Sequence, residues 1–169
     1  MAKQISLREF QQGLAQRLRE AQAEAEPTSR LGVRAGERNW LVKLDDAGEM
    51  LPLPEISGVP LTKPWYLGLA NIRGVLASVV DFAAFMGGDL TVRTPDCRLL
   101  LIADRFHAFS GLVVSRMLGL RNVQTFKATT EADTRPWVST AYRDEDGNTW
   151  HELDVGQLVA HDEFLHVGA

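Results

Sequence analysis

Two short apolar runs hinged on a dipeptide constrain this chain more than any other feature. They are Leu67–Ile72 and Val75–Val80, within the stretch PWYLGLANIRGVLASVVDFAAFMGG from Pro64 to Gly88, and the hinge is Arg73-Gly74. Runs this short, rich in Val, Ile and Leu and bounded by Gly or Asp, read as strands joined by a tight turn. Such a turn needs positive φ, which Gly74 adopts without steric cost. Alternation then puts Ala70 and Ile72 on one face of the first strand, and Leu69, Asn71 and Arg73 on the other. The second run is apolar on both faces, which predicts a central strand. Asp81 ends it and is placed to cap a short helix over Phe82–Met86, stopped by Gly87-Gly88. The stretch is a packed β-scaffold that presents one polar pair, Asn71 and Arg73, at its rim.

The rest of the chain supplies more short strands and one long helical pattern. From Ile5 to Glu26, Ser6 and Glu9 form a capping box, Ile5 and Phe10 take the staple positions, and Leu7, Phe10, Leu14, Leu18, Ala21 and Ala25 line one narrow apolar stripe. Pro27-Thr28-Ser29 ends that helix, and the stripe suits either the chain's own β-core or a partner. Polar, Gly-containing Arg30–Arg38 reads as a linker, which divides the chain into a helix-and-linker segment, 1–38, and a β-domain, 39–169. Strands are expected at Trp40–Leu44, Met50–Leu53, Glu55–Leu61, Cys97–Ala103 and Phe109–Val114, the last two pairing with each other. Pro52, Pro54 and Pro60 push the second and third of these to edges or bends. Arg116–Val123 reads equally as strand or loop, and Ala128–Pro136 as an exposed loop. Val138–Arg143 and Thr149–Leu153 make a last hairpin across Asp144–Asn148, and Asp154 caps a short helix through Val159.

An internal echo ties the two hairpins together. A shift of 73 residues lays Gly74 on Gly147, Val80 on Leu153, Asp81 on Asp154 and Phe85 on Leu158. Turn glycine, strand, capping Asp and short helix therefore recur as a unit, which predicts an all-β architecture of two small barrels.

Composition narrows the function classes. At 169 residues and 45% hydrophobic, the chain has room for one full core or two small lobes. Its single cysteine, Cys97, rules out an internal disulfide. MAKQISLREF lacks the apolar core of a signal peptide, and no run approaches the roughly 20 apolar residues of a membrane span. A cytoplasmic protein without direct membrane insertion is the expectation. Net charge is −4, with nine acidic residues against two basic from Glu131 onward. That balance argues against nucleic acid as the main partner, because phosphate binding needs a basic face.

No constellation points to an enzyme, a metal or a cofactor. His161 and His166 are five apart, and His151-Glu152 lacks the second histidine of a zinc-protease helix. Asp144–Asn148 has the look of a calcium loop without its later ligands, so a hairpin turn accounts for it better. Ser78, Ser110 and Ser115 have no nucleophile-elbow context, and Cys97 sits in an apolar strand. Binding remains, and an arginine at a Gly turn is a common interface anchor because its planar fork holds carboxylates and carbonyls in fixed geometry.

The run Gly68-Leu69-Ala70-Asn71-Ile72-Arg73-Gly74, followed by a strand ending Val79-Val80-Asp81, resembles the signature of the CheW-like chemotaxis coupling family. Gly111-Leu112-Val113-Val114-Ser115-Arg116 is similar to that family's second-lobe strand, and Asp146-Gly147 through Leu153-Asp154 to its closing hairpin. Trp65 and Glu55-Ile56 also match in place, and the resemblance runs from Asn39 to Val159. The wording Trp65-Tyr66-Leu67-Gly68 and Ser78–Phe85 is most similar to the family's adaptors for type IV pili and twitching motility. The resemblance implies two five-stranded, SH3-like β-barrel lobes and a non-catalytic scaffold. It further implies coupling of a methyl-accepting chemoreceptor to a CheA-type histidine kinase, through that kinase's regulatory domain. Arg73 then matches the motif arginine at the receptor-facing surface and Glu55 its acidic partner, with Asn71, Ile56 and Leu69 as further interface candidates. Ala77-Ser78 replaces the proline common after this turn, the stretch from Glu55 to Arg73 is shorter than usual, and the N-terminal helix is an addition. A β-barrel module for nucleic acid or a small ligand is the alternative, and it would display aromatics interleaved with basic residues.

Overall fold

Arg73-Gly74 is a two-residue hairpin turn in the computed structural model, which describes residue 13, residues 28–131 and residues 133–169. The helix expected over Ile5–Glu26 lies outside the described residues. The strands are β1 (Ser29–Ala35), β2 (Arg38–Lys43), β3 (Ala47–Pro52), β4 (Tyr66–Ile72), β5 (Val75–Asp81) and β6 (Arg98–Ile102). They continue with β7 (Ser110–Val114), β8 (Arg116–Asn122), β9 (Lys127–Thr129), β10 (Val138–Arg143) and β11 (Thr149–Leu153). The short helices are α1 (Phe82–Phe85), α2 (Val155–Ala160) and α3 (Asp162–Leu165).

The strands form two sheets with one plan. The order is β8-β1-β2-β11-β10-β9 in one lobe and β3-β6-β7-β5-β4 in the other. In each, one parallel pair joins two antiparallel halves: β2 with β11, and β7 with β5. The second lobe is a contiguous piece of chain, β3 to β7, inserted between β2 and β8 of the first. Strands β8, β10, β11, β1 and β2 thus correspond to β3, β4, β5, β6 and β7, a cyclic reordering of one motif. The 73-residue echo is the visible part of this symmetry. Gly74 and Gly147 both stand at positive φ, 86° and 84°, and Asp81 and Asp154 are both helix N-caps.

Each lobe is closed by the chain bending round after an edge strand, β8 in one and β3 in the other. After β8 the chain turns and β9 pairs with β10, which makes the first sheet six-stranded. After β3 the chain reaches Ser57, which exchanges backbone hydrogen bonds with Leu69 of β4 at 2.8 and 2.9 Å. That closure depends on Gly68, whose φ is +130° and where a Cβ would stand 2.0 Å from the Ser57 carbonyl oxygen.

The main core lies between the lobes. Trp40, Val33 and Leu153 from one lobe and Val80, Leu100 and Leu112 from the other meet there with Phe82, Phe85, Trp137 and Leu158. Phe85 is the hub of its aromatic contacts, 5.0 Å from Trp65, 5.3 Å from Trp137 and 5.5 Å from Phe164 between ring centroids. A second cluster of Ala70, Val79, Leu99 and Val113 fills the interior of the inserted lobe.

Four segment assignments are corrected. Arg30–Arg38 is no linker: most of it is β1, whose Leu31, Val33 and Ala35 are buried, so the folded unit starts before residue 39. Glu55–Leu61 is no strand beyond the single bridge at Ser57, because its flanking and internal prolines cannot donate to a ladder. Gly111–Val114 lies in β7 beside β5, in the same lobe as the Arg73 hairpin rather than in the other. Ala128 and Thr129 of the expected loop belong to strand β9, while Arg116–Val123 resolves as strand β8 up to Asn122.

Candidate protein-docking site around Arg73

The hairpin turn sets where the arginine points. Arg73 and Gly74 both have positive φ, 53° and 86°, the requirement of the two-residue turn whose twist matches its strands. Asn71 stabilises it, its Oδ1 accepting the Gly74 N–H at 2.7 Å. Arg73 therefore occupies a conformation disfavoured for a residue with a Cβ, and its side chain leaves the barrel rim into solvent, 72% exposed.

Its partner is Glu49 on β3. Arg73 Nη2 donates to Glu49 Oε1 at 2.6 Å. The hydrogen bond from Arg73 holds the Glu49 carboxyl below its usual range, and the same bond raises the guanidinium further. Both groups are open to water, so the pair contributes little to stability; it holds the planar fork in one place. Glu55, the partner expected from the sequence, is exposed beyond β3 and forms no ion pair with a described residue. It lies after the point where β3 bends away toward Ser57, which leaves Glu49 at the arginine's end of the barrel.

Apolar side chains surround the ion pair. A groove of about 550 Å³ runs from Glu49 and Arg73 past Ile72 and Val75 to Phe109. Val75 is 51% exposed and Phe109 62% exposed. Phe109 also has positive φ, 43°, while its carbonyl accepts the Ser78 N–H at 2.9 Å, so the loop carrying it is tied to β5. A charged fork beside exposed large apolar residues on a fixed backbone has the chemistry of a protein interface rather than of a reaction centre.

The other expected site residues divide. Asn71 is exposed beside Arg73, with its carbonyl committed to the turn. Ile56 is half-buried against the interior of the inserted lobe, and Leu69 is half-buried on the closing bridge. Glu49, Val75 and Phe109 went unnoticed in the sequence. Their only local signal is the turn ahead of Glu49, since their meeting depends on which strands share a barrel end.

A second polar cavity lies on the first lobe, lined by Arg38, Glu131, Asp133, Arg135 and His151. Asp133 accepts from Arg38 and Arg135, each at 3.0 Å. Burial works against the charge of Asp133, but the bonds from Arg135 and Arg38 outweigh it and leave the carboxyl below its usual range. His151 stacks 5.3 Å from Trp40, and burial, reinforced by the charge of Arg38, lowers its pKa. The Asp144 loop is a turn: Asp144 Oδ1 accepts the amides of Asp146 and Asn148, and Oδ2 accepts the Trp150 indole N–H at 2.9 Å. Among the described residues no group of three His, Cys, Asp or Glu could hold a metal ion, and no helix is long and apolar enough to cross a membrane. Trp40, Trp65, Trp137 and Trp150 are all buried, so none offers a base-stacking platform.

The chain is similar to known proteins. A family model described as CheW-like domain matches residues 30–163, a span that takes in β1 from Arg30 on. A curated relative, Protein PilI of Pseudomonas aeruginosa, is 30% identical over 153 residues, covering 87% of this chain and 84% of that protein. The crystal structure of scaffolding protein TtCheW from Thermoanaerobacter tengcongensis matches with a TM-score of 0.61 at 15% identity. That match covers 75% of this chain and 88% of the other, and it concerns the fold alone.

Proposed function

The chain belongs to the CheW-like domain family, and from that premise we propose that it is a non-catalytic adaptor in a chemosensory signalling array. It couples a methyl-accepting chemoreceptor to the regulatory domain of a CheA-type histidine kinase. The output is type IV pilus motility, a reading supported by the 30% identity to PilI over most of both chains. The protein works in the cytoplasm and reaches the membrane only through the receptor.

The observation that carries this reading is the Arg73–Glu49 pair set beside the exposed Val75 and Phe109. An adaptor needs rigid, recognisable surfaces and no chemistry. The paired fork supplies directional hydrogen bonds, and the exposed apolar rim supplies the area whose burial drives association. The two-lobe plan adds a second requirement of a coupler, more than one face on one rigid body, because the shared core locks the lobes together.

Isothermal titration of the full chain against a receptor signalling fragment and against a kinase regulatory domain tests the proposal. Saturable binding to each, with a ternary complex on mixing, is the expected result. Binding to neither overturns it, and retention of an oligonucleotide instead would favour a nucleic-acid module.

A further inference from the structure

The correspondence of the lobes exposes one place where they differ in charge. On the first sheet β1 and β8 pair through Val33 with Met117 and then through Arg34 with Arg116, so two arginines stand directly opposite each other. In the inserted lobe β3 and β6 pair through Ala47 with Ile102. One step further on, the Ala103 N–H donates to the Asp46 carbonyl at 3.0 Å, and the Asp46 carboxylate forms an ion pair with Arg105. The same position is therefore neutralised in one lobe and doubly positive in the other. Arg34 and Arg116 are both exposed, and among the described residues neither pairs with a carboxylate. Like charges directly opposite across a ladder work against folding. Ser115 nevertheless fixes the place, donating its N–H and hydroxyl to the Arg34 carbonyl at 2.8 and 2.9 Å.

Both arginines line a groove of about 730 Å³, which Leu90 and Val92 of the loop after α1 also line. Leu90 is 53% and Val92 79% exposed. They are held outward because Thr91 between them turns inward, its N–H and hydroxyl bound by the buried Asp81 carboxylate at 2.8 and 2.9 Å. The Cys97 thiol adds a second tie, donating to the Val92 carbonyl at 3.3 Å. Glu37 and Asp89 line the groove too, and among the described residues they pair with neither arginine. We propose that this groove is a second docking surface, for an acidic amphipathic segment of a partner protein. Carboxylates of the segment take the two guanidinium forks, which removes the repulsion between them, and its apolar side chains cover Leu90 and Val92. The groove shares no lining residue with the one at Arg73 and does not depend on it.

Fluorescence titration of the full chain tests this, with a labelled peptide that carries glutamate and leucine along one helical face. The peptide should bind, and more weakly as salt is added. Arg34→Gln with Arg116→Gln should lower its affinity roughly tenfold or more. Lys43→Gln with Lys127→Gln removes the same charge from exposed positions elsewhere on the first lobe and should change the affinity less than about threefold. Leu90→Ser with Val92→Ser should weaken binding as well. Because opposed like charges are unfavourable, Arg116→Gln alone should melt no lower than the parent. Equal affinity in the two charge variants, full affinity in the Leu90 and Val92 variant, or a lowered melt in Arg116→Gln overturns the proposal. Capture of phosphatidylserine vesicles in place of the peptide also overturns it, and assigns the arginines to a membrane surface.

Discussion

Asp81 and Asp154 stand at the same place in the two lobes. Asp81 is the last residue of β5 and Asp154 the first after β11, the strands that pair parallel across their lobes, and each accepts the amide three residues on, Ala84 at 3.2 Å and Gln157 at 2.9 Å. Their surroundings differ. Asp81 is buried and also accepts the N–H and hydroxyl of Thr91 at 2.8 and 2.9 Å, whereas among the described residues the Asp154 carboxylate makes only the cap.

Asp81→Ala should therefore cost more than Asp154→Ala. Losing a half-exposed N-cap costs about 1 kcal/mol. Losing Asp81 also leaves the Thr91 donors unsatisfied beside the core, so about 2–4 kcal/mol is expected. Denaturant unfolding of the two variants measures the difference, and equal losses would mean that the Thr91 bonds contribute nothing.

Gly68 should be the least replaceable glycine of the hairpin. At Gly68→Ala the new Cβ meets the Ser57 carbonyl carbon at 2.7 Å as well as its oxygen, so the closing bridge must open. A loss above about 4 kcal/mol, or no folded protein, is expected. Gly74→Ala meets no atom within 4 Å and suffers only the positive φ, a cost of about 1–2 kcal/mol. Comparable behaviour of the two variants would show that the bridge is not needed for folding.

His151 gives the stability a pH dependence with a definite sign. Burial, then the charge of Arg38, lowers its pKa below the ordinary 6.5, so the unfolded chain takes up this proton first as the pH falls. The stability that goes with the neutral ring is complete above pH 6.5 and is lost on descending through that value toward the folded pKa. His151→Gln should flatten the profile as the pH falls from neutrality through 6.5 and below. An unchanged slope in denaturant midpoints across that range would remove His151 as its source.

The hairpins, the caps and the two-lobe plan were legible in the sequence because each rests on local chemistry. Turn glycines, the alternation of β4 and capping aspartates act within a few residues. Strand β1 was hidden because one face of it is polar: Arg30 points into the first lobe, where its Nε lies 3.3 Å from the buried carboxylate of Glu152. A barrel interior containing an ion pair gives a strand the composition of a linker. Glu49 was missed for another reason. It lies 24 residues before Arg73 and meets it only because β3 and the hairpin share one end of a closed barrel, which no local pattern states. The motif arginine could be found, but its partner required the topology.

Arg73 separates stability from binding, and two substitutions test it in opposite directions. Its conformation at φ 53° suits Asn better than Arg, and its ion pair with Glu49 is exposed. Arg73→Asn should therefore melt at the same temperature or higher, and Arg73→Glu within error of the parent. If the guanidinium anchors a partner, both variants should lose roughly thirtyfold or more in affinity for the receptor fragment or the kinase domain. Glu49→Gln supplies the graded case: it leaves the arginine in place but removes the charge that positions it, so a smaller loss is expected. Titration calorimetry beside a thermal melt reads both quantities. Full affinity in Arg73→Asn and Arg73→Glu would return the residue to an ordinary turn position. A melt that collapses in Arg73→Glu would make the arginine structural, and the loss of binding would then follow from unfolding rather than from a missing anchor.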